Sequence, residues 1–154
     1  MRDLRRGATS LSEHRTSELL PLPRIADPRG NLTFIEGERH VPFRIQRAYW
    51  LYDVPGGELR GAHANRFADE FLVALSGSFD VAVDDGVTQR VVQLNRSYQG
   101  LLVPRLTWRW LQNFSTNAVC LVLASVPFRE GDVVRDRQAF LAEVQSRLVS
   151  DGER

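Results

Sequence analysis

The sequence predicts a single all-β domain, a sandwich or barrel of short strands followed by one helix. Three observations carry this prediction. Runs of branched and aromatic residues recur at intervals of about ten residues, the spacing typical of β-sandwiches and barrels. Asp84-Asp85-Gly86 separates two such runs and indicates a hairpin. Apolar residues at helical spacing occur only near the C-terminus, in residues 136–148.

The composition limits the possible functions. The chain has 154 residues, 43% of them hydrophobic, which suits one domain with its own core. The 20 basic and 19 acidic residues nearly balance, which argues against a nucleic-acid partner. No apolar run approaches the ~20 residues of a membrane span. All basic residues are arginine, so no lysine can form a Schiff base with pyridoxal phosphate.

The N-terminal third is predicted as an arm followed by two strands. Residues 1–20 are polar, without clear periodicity, and lack the apolar segment of a secretory signal. Asp27-Pro28-Arg29-Gly30 is a turn signal before the apolar stretch 32–35. Residues 44–52, RIQRAYWLY, have strand composition and end before Pro55-Gly56-Gly57.

The rest of the chain is predicted as strands with a final helix. Further strands are expected at residues 70–75, 79–83, 88–94, 101–103, 107–111 and 118–126. Asp132 or Asp136 is expected to cap the C-terminal helix. The predicted domain covers residues 21–149, with a tail at 150–154. A single cysteine, Cys120, excludes an internal disulfide and predicts a cytoplasmic location.

One segment contains most of the residues that indicate a chemical function. Residues 57–77, GELRGAHANRFADEFLVALSG, place His63, Asn65 and Glu70 at the spacing His-x-Asn-x4-Glu-x6-Gly. This resembles the first motif of the cupin superfamily, His-x-His-x3-4-Glu-x6-Gly, and residues 104–113 resemble the second. In a strand, residues i and i+2 share one face, so His63 and Asn65 are predicted to point to the same side. The resemblance implies a cupin jelly-roll β-barrel with a short C-terminal helix.

This chain departs from the metal-binding cupins at two positions. Asn65 stands where those proteins have the second histidine, and Arg109 stands at the last metal histidine. Arginine keeps its charge and repels a divalent ion, so no metal is predicted. An interior arginine suits an anionic ligand through charge-assisted hydrogen bonds. The alternative is that Arg109 pairs with Glu70 inside the barrel.

Short motifs recur in a fixed order along residues 22–142. They are Asp27-x-Arg29-Gly30-x-Leu32, Pro42-Phe43-x3-Arg47-x-Tyr49, Arg60-Gly61-x-His63-Ala64, Ser76-Gly77-Ser78, Asp84-Asp85-Gly86, Gly100-Leu101-x-Val103-Pro104-x3-Trp108, Val122-Leu123-Ala124-Ser125 and Asp132-x2-Arg135. Together they resemble the sugar 3,4-ketoisomerases, cupins of the WxcM-like C-terminal domain family that act on dTDP-4-keto-6-deoxyglucose.

The resemblance implies a reaction and a set of partners. It implies cofactor-independent isomerisation of a dTDP-linked 4-keto-6-deoxyhexose in deoxyamino-sugar biosynthesis. A base removes the C3 proton, which the neighbouring ketone acidifies, and a proton returns at C4. The family is dimeric, so a homodimer is implied in which residues 22–36 add to a partner's sheet edge.

The candidate catalytic residues are His63 and Tyr49. Histidine is the side chain whose ordinary pKa suits a base near neutral pH. Arg47 and Tyr49 share one strand face, and this face is preferred because the pair matches the family motif; Tyr52 is the substitute if the other face turns inward. The candidate substrate-binding residues are Arg47, Arg60, Asn65, Glu70 and Arg109.

Four other side chains are expected outside the site. His14 lies in the polar arm and His40 in a predicted loop, and both are expected to be solvated. Trp108 and Trp110 alternate with Arg109, so they face away from it and are expected in the core or in an interface.

Two functional alternatives remain because of Asn65. The family pattern is Arg-Gly-x-His-Ala-His, and both histidines are implicated in proton transfer. Asparagine forms hydrogen bonds but cannot act as a general base. Either His63 moves protons alone, or another group does, or the chain has a different function. The alternatives are a non-catalytic cupin that binds a nucleotide sugar or another anion, and a related nucleotide-sugar epimerase.

Overall fold

The computed structural model describes residues 15–153, which form twelve strands and one α-helix. The strands are β1 (Glu18–Pro21), β2 (Arg24–Ile25), β3 (Leu32–Thr33), β4 (Arg47–Leu51), β5 (Arg60–Asn65), β6 (Glu70–Ser76), β7 (Phe79–Asp84), β8 (Gln89–Leu94), β9 (Gln99–Val103), β10 (Trp108–Gln112), β11 (Val119–Ala124) and β12 (Val133–Val134). A 3-10 turn, Glu130–Asp132, precedes β12, and the helix α1 covers Arg137–Gly152.

The strands form two five-stranded sheets packed face to face. The first sheet has the order β1-β9-β6-β11-β4 and the second β12-β5-β10-β7-β8, and the paired strands are antiparallel. Strands β2 and β3 form a separate hairpin. This arrangement confirms the predicted all-β cupin jelly roll with one C-terminal helix.

The interior of the sandwich is apolar along most of its length. Its core includes Leu72, Phe79, Leu101, Leu111 and Cys120, all fully buried. Along each strand these residues alternate with residues of the outer face, because successive side chains point to opposite faces of the sheet. Removing this apolar surface from water is the main force that holds the two sheets together.

Each sheet also has a covered outer face. On the second sheet, Phe140 and Val144 of α1 pack against Ala64 and Trp108. On the first sheet, the segment that connects β1 to β4 covers Phe71 and its neighbours. Trp108 is therefore a core residue beneath α1, and Trp110 packs against the same cluster, as the alternation with Arg109 predicts.

The structure corrects several element boundaries. β1 begins at Glu18, inside the stretch predicted as a polar arm, and its partner is β9. Its side chains are mostly exposed, so an edge strand of this kind shows no apolar alternation in the sequence. β12 is a further strand that the sequence pattern does not predict. Helix α1 continues through Gly152, and its N-cap is Asp136, whose carboxylate accepts a hydrogen bond from the Gln138 amide at 3.1 Å.

The predicted hairpin between β7 and β8 is confirmed, with a longer turn than a two-residue loop. Asp84 pairs with Gln89, and residues 85–88 form the loop. Only Gly86 within it has a positive φ, +92°. The Asp84 carboxylate accepts a hydrogen bond from the Gly86 amide at 2.8 Å. In the described part of the chain, no helix is long and apolar enough to span a membrane.

Candidate active site

One end of the sandwich interior is polar, and side chains from both sheets meet there. The first sheet contributes Arg47, Tyr49 and Glu70, and the second contributes His63, Asn65 and Arg109. Strand alternation places each of them on an inner face. Arg47 and Glu70 both lie beside Ala124 of β11, and Arg109 pairs with His63 across β10 and β5.

Tyr49, Glu70 and Arg109 form one hydrogen-bonded unit. The Arg109 guanidinium donates to Glu70 Oε1 from Nε at 3.1 Å and from Nη2 at 2.9 Å. Nη2 also donates to the Tyr49 hydroxyl at 2.8 Å. The Tyr49 hydroxyl in turn donates to Glu70 Oε2 at 2.5 Å. Glu70 is 1% exposed and Arg109 2% exposed, so this unit lies behind the site and supports Tyr49.

The charges of the unit compensate one another. Burial alone would raise the pKa of Glu70, but Arg109 and the Tyr49 hydrogen bond outweigh it, so the pKa lies below its ordinary value. Burial raises the pKa of Tyr49. At neutral pH the unit therefore contains a carboxylate, a guanidinium and a protonated phenol. The phenol proton points at Glu70, which leaves an oxygen lone pair of Tyr49 for a ligand.

Gly61 makes room for Arg109. Arg109 Nη1 donates to the Gly61 carbonyl at 3.1 Å. The pairing of β5 with β10 shifts register between Arg109 and Leu111, a bulge that coincides with the φ of +68° at Gly61. A Cβ at this position would overlap Arg109 Nη1. Glycine is therefore required here both by conformation and by space.

His63 is the free titratable group of the site. Its half-buried imidazole makes no hydrogen bond to any residue among 15–153. Burial, followed by the positive charge of Arg109, lowers the pKa of His63 to about 4. Arg135 and Arg47 lower it further, and Glu70 opposes them. The imidazole is consequently neutral at physiological pH and can accept a proton.

Asn65 lies two residues along the same strand face. It is 7% exposed, and its side-chain amide has no hydrogen-bond partner in the described chain. Its backbone is fixed, because its carbonyl accepts a hydrogen bond from the Leu106 amide at 2.7 Å and it pairs with Val133. Its amide atoms are not among the buried polar atoms that lack a partner, so they remain accessible to a ligand or to water.

Arg47 has spare hydrogen-bonding capacity. Its guanidinium lies between two aromatic rings, 5.4 Å from the centroid of Tyr49 and 5.5 Å from that of Phe128. Its Nε is buried and has no partner among the described residues. Stacking on rings leaves the edge of a guanidinium free for an anion. Arg47 therefore has hydrogen-bond donors available for an anion at the rim of the site.

The donors of this site do not fit a divalent cation. Both Glu70 oxygens accept hydrogen bonds from Arg109 or Tyr49, and the guanidinium places a permanent positive charge beside them. Asn65 offers one neutral amide and His63 one imidazole. Residues 15–153 hold no cluster of three or more His, Cys, Asp or Glu side chains arranged for a metal.

The structure brings together most of the predicted site residues. His63, Tyr49, Arg47 and Asn65 face the interior, whereas Tyr52, which directly follows β4, is 62% exposed. Glu70 and Arg109 take the predicted alternative, an internal ion pair, and both side chains are almost completely buried. Arg60 is exposed and has no hydrogen-bond or ion-pair partner among the described residues.

Sequence reasoning missed some contributors. Arg135, which follows β12, acts electrostatically on His63, and its ion-pair partner is Glu130. Arg135 is visible in the sequence only as part of a family motif, and nothing in the sequence pattern points to Phe128. His40 lies in the loop before β4, where its Nδ1 accepts a hydrogen bond from the Glu36 amide at 2.9 Å. His14 lies outside the described residues.

Fold and site define the class of protein. An antiparallel jelly roll with an imidazole, an amide and a hydrogen-bonded phenol in its interior is a cupin-like protein. The family model described as FdtA, WxcM-like, C-terminal matches residues 15–145. The chain belongs to this family.

Similar proteins of known name agree with this assignment. The TDP-4-oxo-6-deoxy-alpha-D-glucose-3,4-oxoisomerase of Aneurinibacillus thermoaerophilus is 36% identical over 124 residues, which cover 80% of this chain and 89% of that protein. A 3,4-ketoisomerase from Helicobacter canadensis is 35% identical with a TM-score of 0.82, over 86% of this chain and 99% of that one.

A third relative was solved with a ligand. QdtA, a sugar 3,4-ketoisomerase from Thermoanaerobacterium thermosaccharolyticum in complex with TDP, is 32% identical with a TM-score of 0.83. The match covers 85% of this chain and 96% of that one. The three matches span nearly the whole length of each relative, so the likeness extends over the complete fold.

Proposed function

We propose that this chain is a sugar 3,4-ketoisomerase that converts a TDP-linked 4-keto-6-deoxyhexose into its 3-keto isomer. The observation that carries the proposal is the unpaired, neutral imidazole of His63 inside the cupin of a family whose named relatives are such enzymes. The reaction exchanges a ketone and a neighbouring hydroxyl, so it needs proton transfers but no external oxidant or reductant.

His63 is the proposed base at carbon. The C3 hydrogen is acidic because the C4 ketone can take up the electron pair as an enolate. A histidine that is neutral at physiological pH can remove this proton, provided the imidazole lies next to C3. The surrounding positive charges of Arg47, Arg109 and Arg135 favour the enolate as negative charge develops on O4.

Tyr49 is the proposed group for the oxygen-bound protons. Its proton points at Glu70 and its free lone pair can accept a hydrogen bond from the substrate hydroxyl. Arg47 and Arg60 are proposed to bind the diphosphate, and Asn65 is proposed to bind a sugar oxygen. Glu70 and Arg109 are proposed as positioning residues that hold Tyr49.

The test uses NMR with TDP-4-keto-6-deoxyglucose in deuterated buffer. We expect loss of the C3 proton signal and appearance of a 3-keto product. The variant His63→Gln should slow both by at least about 100-fold, the usual contribution of a general base, while calorimetric binding of TDP persists. His40→Gln is the matched control, and its rate should equal that of the unchanged protein.

The same experiment distinguishes the alternatives. Binding of TDP without exchange at C3 would indicate a binding protein rather than an enzyme. Exchange at C3 that yields an epimerised 4-keto sugar, with no 3-keto product, would indicate an epimerase. Neither result is compatible with the proposed ketoisomerase.

We also propose that the chain forms a homodimer through the hairpin of β2 and β3. This hairpin is hydrogen-bonded to neither main sheet. Ile25 and Leu32 on it are more than half exposed, so it presents apolar side chains that a second copy could cover. A cytoplasmic location is proposed as well, since the buried thiol of Cys120 suits a reducing compartment.

A further inference from the structure

Three carboxylates are buried among residues 15–153, those of Glu70, Asp84 and Asp132. Glu70 belongs to the unit that supports Tyr49, and Asp84 forms an ion pair with Arg137 at the start of α1. Asp132 has no part in the proposed function, although it is only 3% exposed. Burial of a carboxylate is costly unless hydrogen bonds compensate it, so the contacts of Asp132 indicate what this residue does.

Asp132 joins two segments of the backbone. Its Oδ1 accepts a hydrogen bond from the Phe67 amide at 2.6 Å, and its carbonyl accepts one from the Arg66 amide at 2.8 Å. Both donors directly follow the end of β5. Arg66 adds a third bond, because its Nη1 donates to the Gly131 carbonyl at 2.8 Å. Residues 128–135 are therefore tied to the end of β5 at Asp132.

Beyond Asp132, the chain pairs with β5 beside the site. Val134 lies opposite Ala64, and both pack beneath α1 on the outer face of the second sheet. Opposite residues of an antiparallel pair share a face, and successive residues alternate. The next residue, Arg135, therefore lies on the inner face at the register position opposite His63, which accounts for the spacing Asp132-x2-Arg135.

The other end of this segment contacts a second arginine of the site. The Phe128 ring lies 5.5 Å from the guanidinium carbon of Arg47, on which the ring of Tyr49 also stacks. Phe128 is 59% exposed, so little packing of its own fixes it. Its position against Arg47 consequently depends on the backbone of residues 128–135.

We propose that Asp132 is a positioning residue that anchors residues 128–135 against the end of β5. The anchored segment holds Phe128 against Arg47, and at its other end it keeps a positive charge beside His63. This inference rests on the proposed function, because the anchor matters for catalysis only if the imidazole and Arg47 act on the substrate.

The charge on the segment is one of several that face the imidazole. The charged groups that act on His63 come from four elements or their ends: Arg109 of β10, Glu70 of β6, Arg135 after β12 and Arg47 of β4. Arg109 and Glu70 hold each other in a buried ion pair and do not depend on the anchor. Loss of the anchor should remove the charge of Arg135 and part of the cover from His63, and both changes raise the pKa of the imidazole.

The test compares Asp132→Ala with Asp132→Asn by NMR titration of the His63 imidazole. Alanine removes the hydrogen-bond acceptor, whereas asparagine keeps a side-chain oxygen at the same position. We expect the pKa of His63 to rise from about 4 towards its ordinary 6.5 in Asp132→Ala and to stay unchanged in Asp132→Asn. Calorimetry should show about tenfold weaker binding of TDP by Asp132→Ala, the equivalent of one hydrogen bond to a charged group.

Ser115→Ala is the matched control, because Ser115 also ties two backbone segments. Its Oγ accepts a hydrogen bond from the Ser78 amide at 2.8 Å, and its amide donates to the Ser78 carbonyl at 2.9 Å. This link lies beyond the end of β6 that is opposite to Glu70. Ser115→Ala should lower the melting temperature without changing the pKa of His63 or the affinity for TDP.

Two exposed positions replace Asp132→Ala if that variant does not fold. Arg135→Gln should then raise the pKa of His63, and Phe128→Ala should weaken the binding of TDP. Absence of both effects would overturn the inference.

The outcomes separate the anchor from the proposed function, because the titration needs no substrate. An unchanged pKa of His63 in folded Asp132→Ala, or an equal rise in Ser115→Ala, would overturn the inference and leave the ketoisomerase function standing. A raised pKa in Asp132→Ala, together with no 3-keto product from the unchanged protein, would support the anchor and overturn the proposed function.

Discussion

The ion pair between Glu70 and Arg109 is the most buried charged contact in the described residues. Its contribution to the stability of the fold requires both side chains. Two charges leave water to form it, which is costly, and their mutual attraction with the Tyr49 hydrogen bond offsets that cost. Loss of one member would leave the other charge buried without compensation. The pair is therefore sensitive to single substitutions at either side.

Glu70→Gln should strongly destabilise the protein. We expect a loss of about 3–5 kcal/mol in the free energy of unfolding, the range for breaking a buried ion pair, measured by urea denaturation. Glu143→Gln is the matched control, since its ion pair with Arg66 at 2.8 Å is about one-third exposed and should be worth under about 1 kcal/mol. Equal losses in the two variants would contradict the structural role assigned to Glu70.

The depressed pKa of His63 predicts a pH dependence of stability. Unfolded His63 binds a proton below its ordinary pKa of 6.5, whereas folded His63 does so only below a pKa of about 4. Between these values the unfolded state binds more protons, so stability is fully present above pH 6.5 and is lost as the pH falls towards 4. His63→Gln should weaken this slope in melting temperatures across about pH 4–7, and His40→Gln should retain it. Parallel slopes in all three proteins would refute the assignment.

At the scale of elements, the bulge in β5 sets the position of Arg109. Gly61→Ala should displace the guanidinium from Glu70 and Tyr49, lower the activity, and destabilise the fold. Gly57→Ala provides the control, because Gly57 also has a positive φ but has no atoms within 4 Å of an added Cβ. It should cost only the conformational strain of about 1–2 kcal/mol. If the two variants lose equal stability and activity, contact with Arg109 is not what requires Gly61.

Strand alternation explains which parts of the fold and of the site could be predicted from the sequence. The period of two in regular strands groups Tyr49 with Arg47 and His63 with Asn65. The resemblance to the family predicts that these faces and Arg109 turn inward, and the structure places them so. The period gives no reliable direction for Arg60, which lies beside the bulge. β1 escapes detection because an exposed edge strand carries no apolar pattern. The internal pairing of Arg109 could be offered only as an alternative, since it depends on contacts between strands distant in sequence.

At the scale of the molecule, the β2–β3 hairpin predicts a specific change in assembly. The unchanged protein should elute at twice the 17.5 kDa mass of the chain in light-scattering chromatography. Leu32→Glu should shift it to the mass of one chain, because a carboxylate cannot be buried in an apolar contact without a partner. Val87→Glu, at the exposed β7–β8 turn, should leave the mass unchanged. A dimer that persists in Leu32→Glu would exclude the hairpin as the contact.

The reaction rate of the single cysteine, Cys120, can report transient opening of the sandwich. Cys120 lies at the centre of the apolar core, fully buried, and burial raises the pKa of its thiol to about 12. A thiol reagent can consequently react only during moments when the two sheets separate, because reaction needs an accessible thiolate. Labelling speed thus measures the opening frequency of the sandwich without any introduced probe. A nucleotide that bridges residues of both sheets should slow that labelling in proportion to its occupancy.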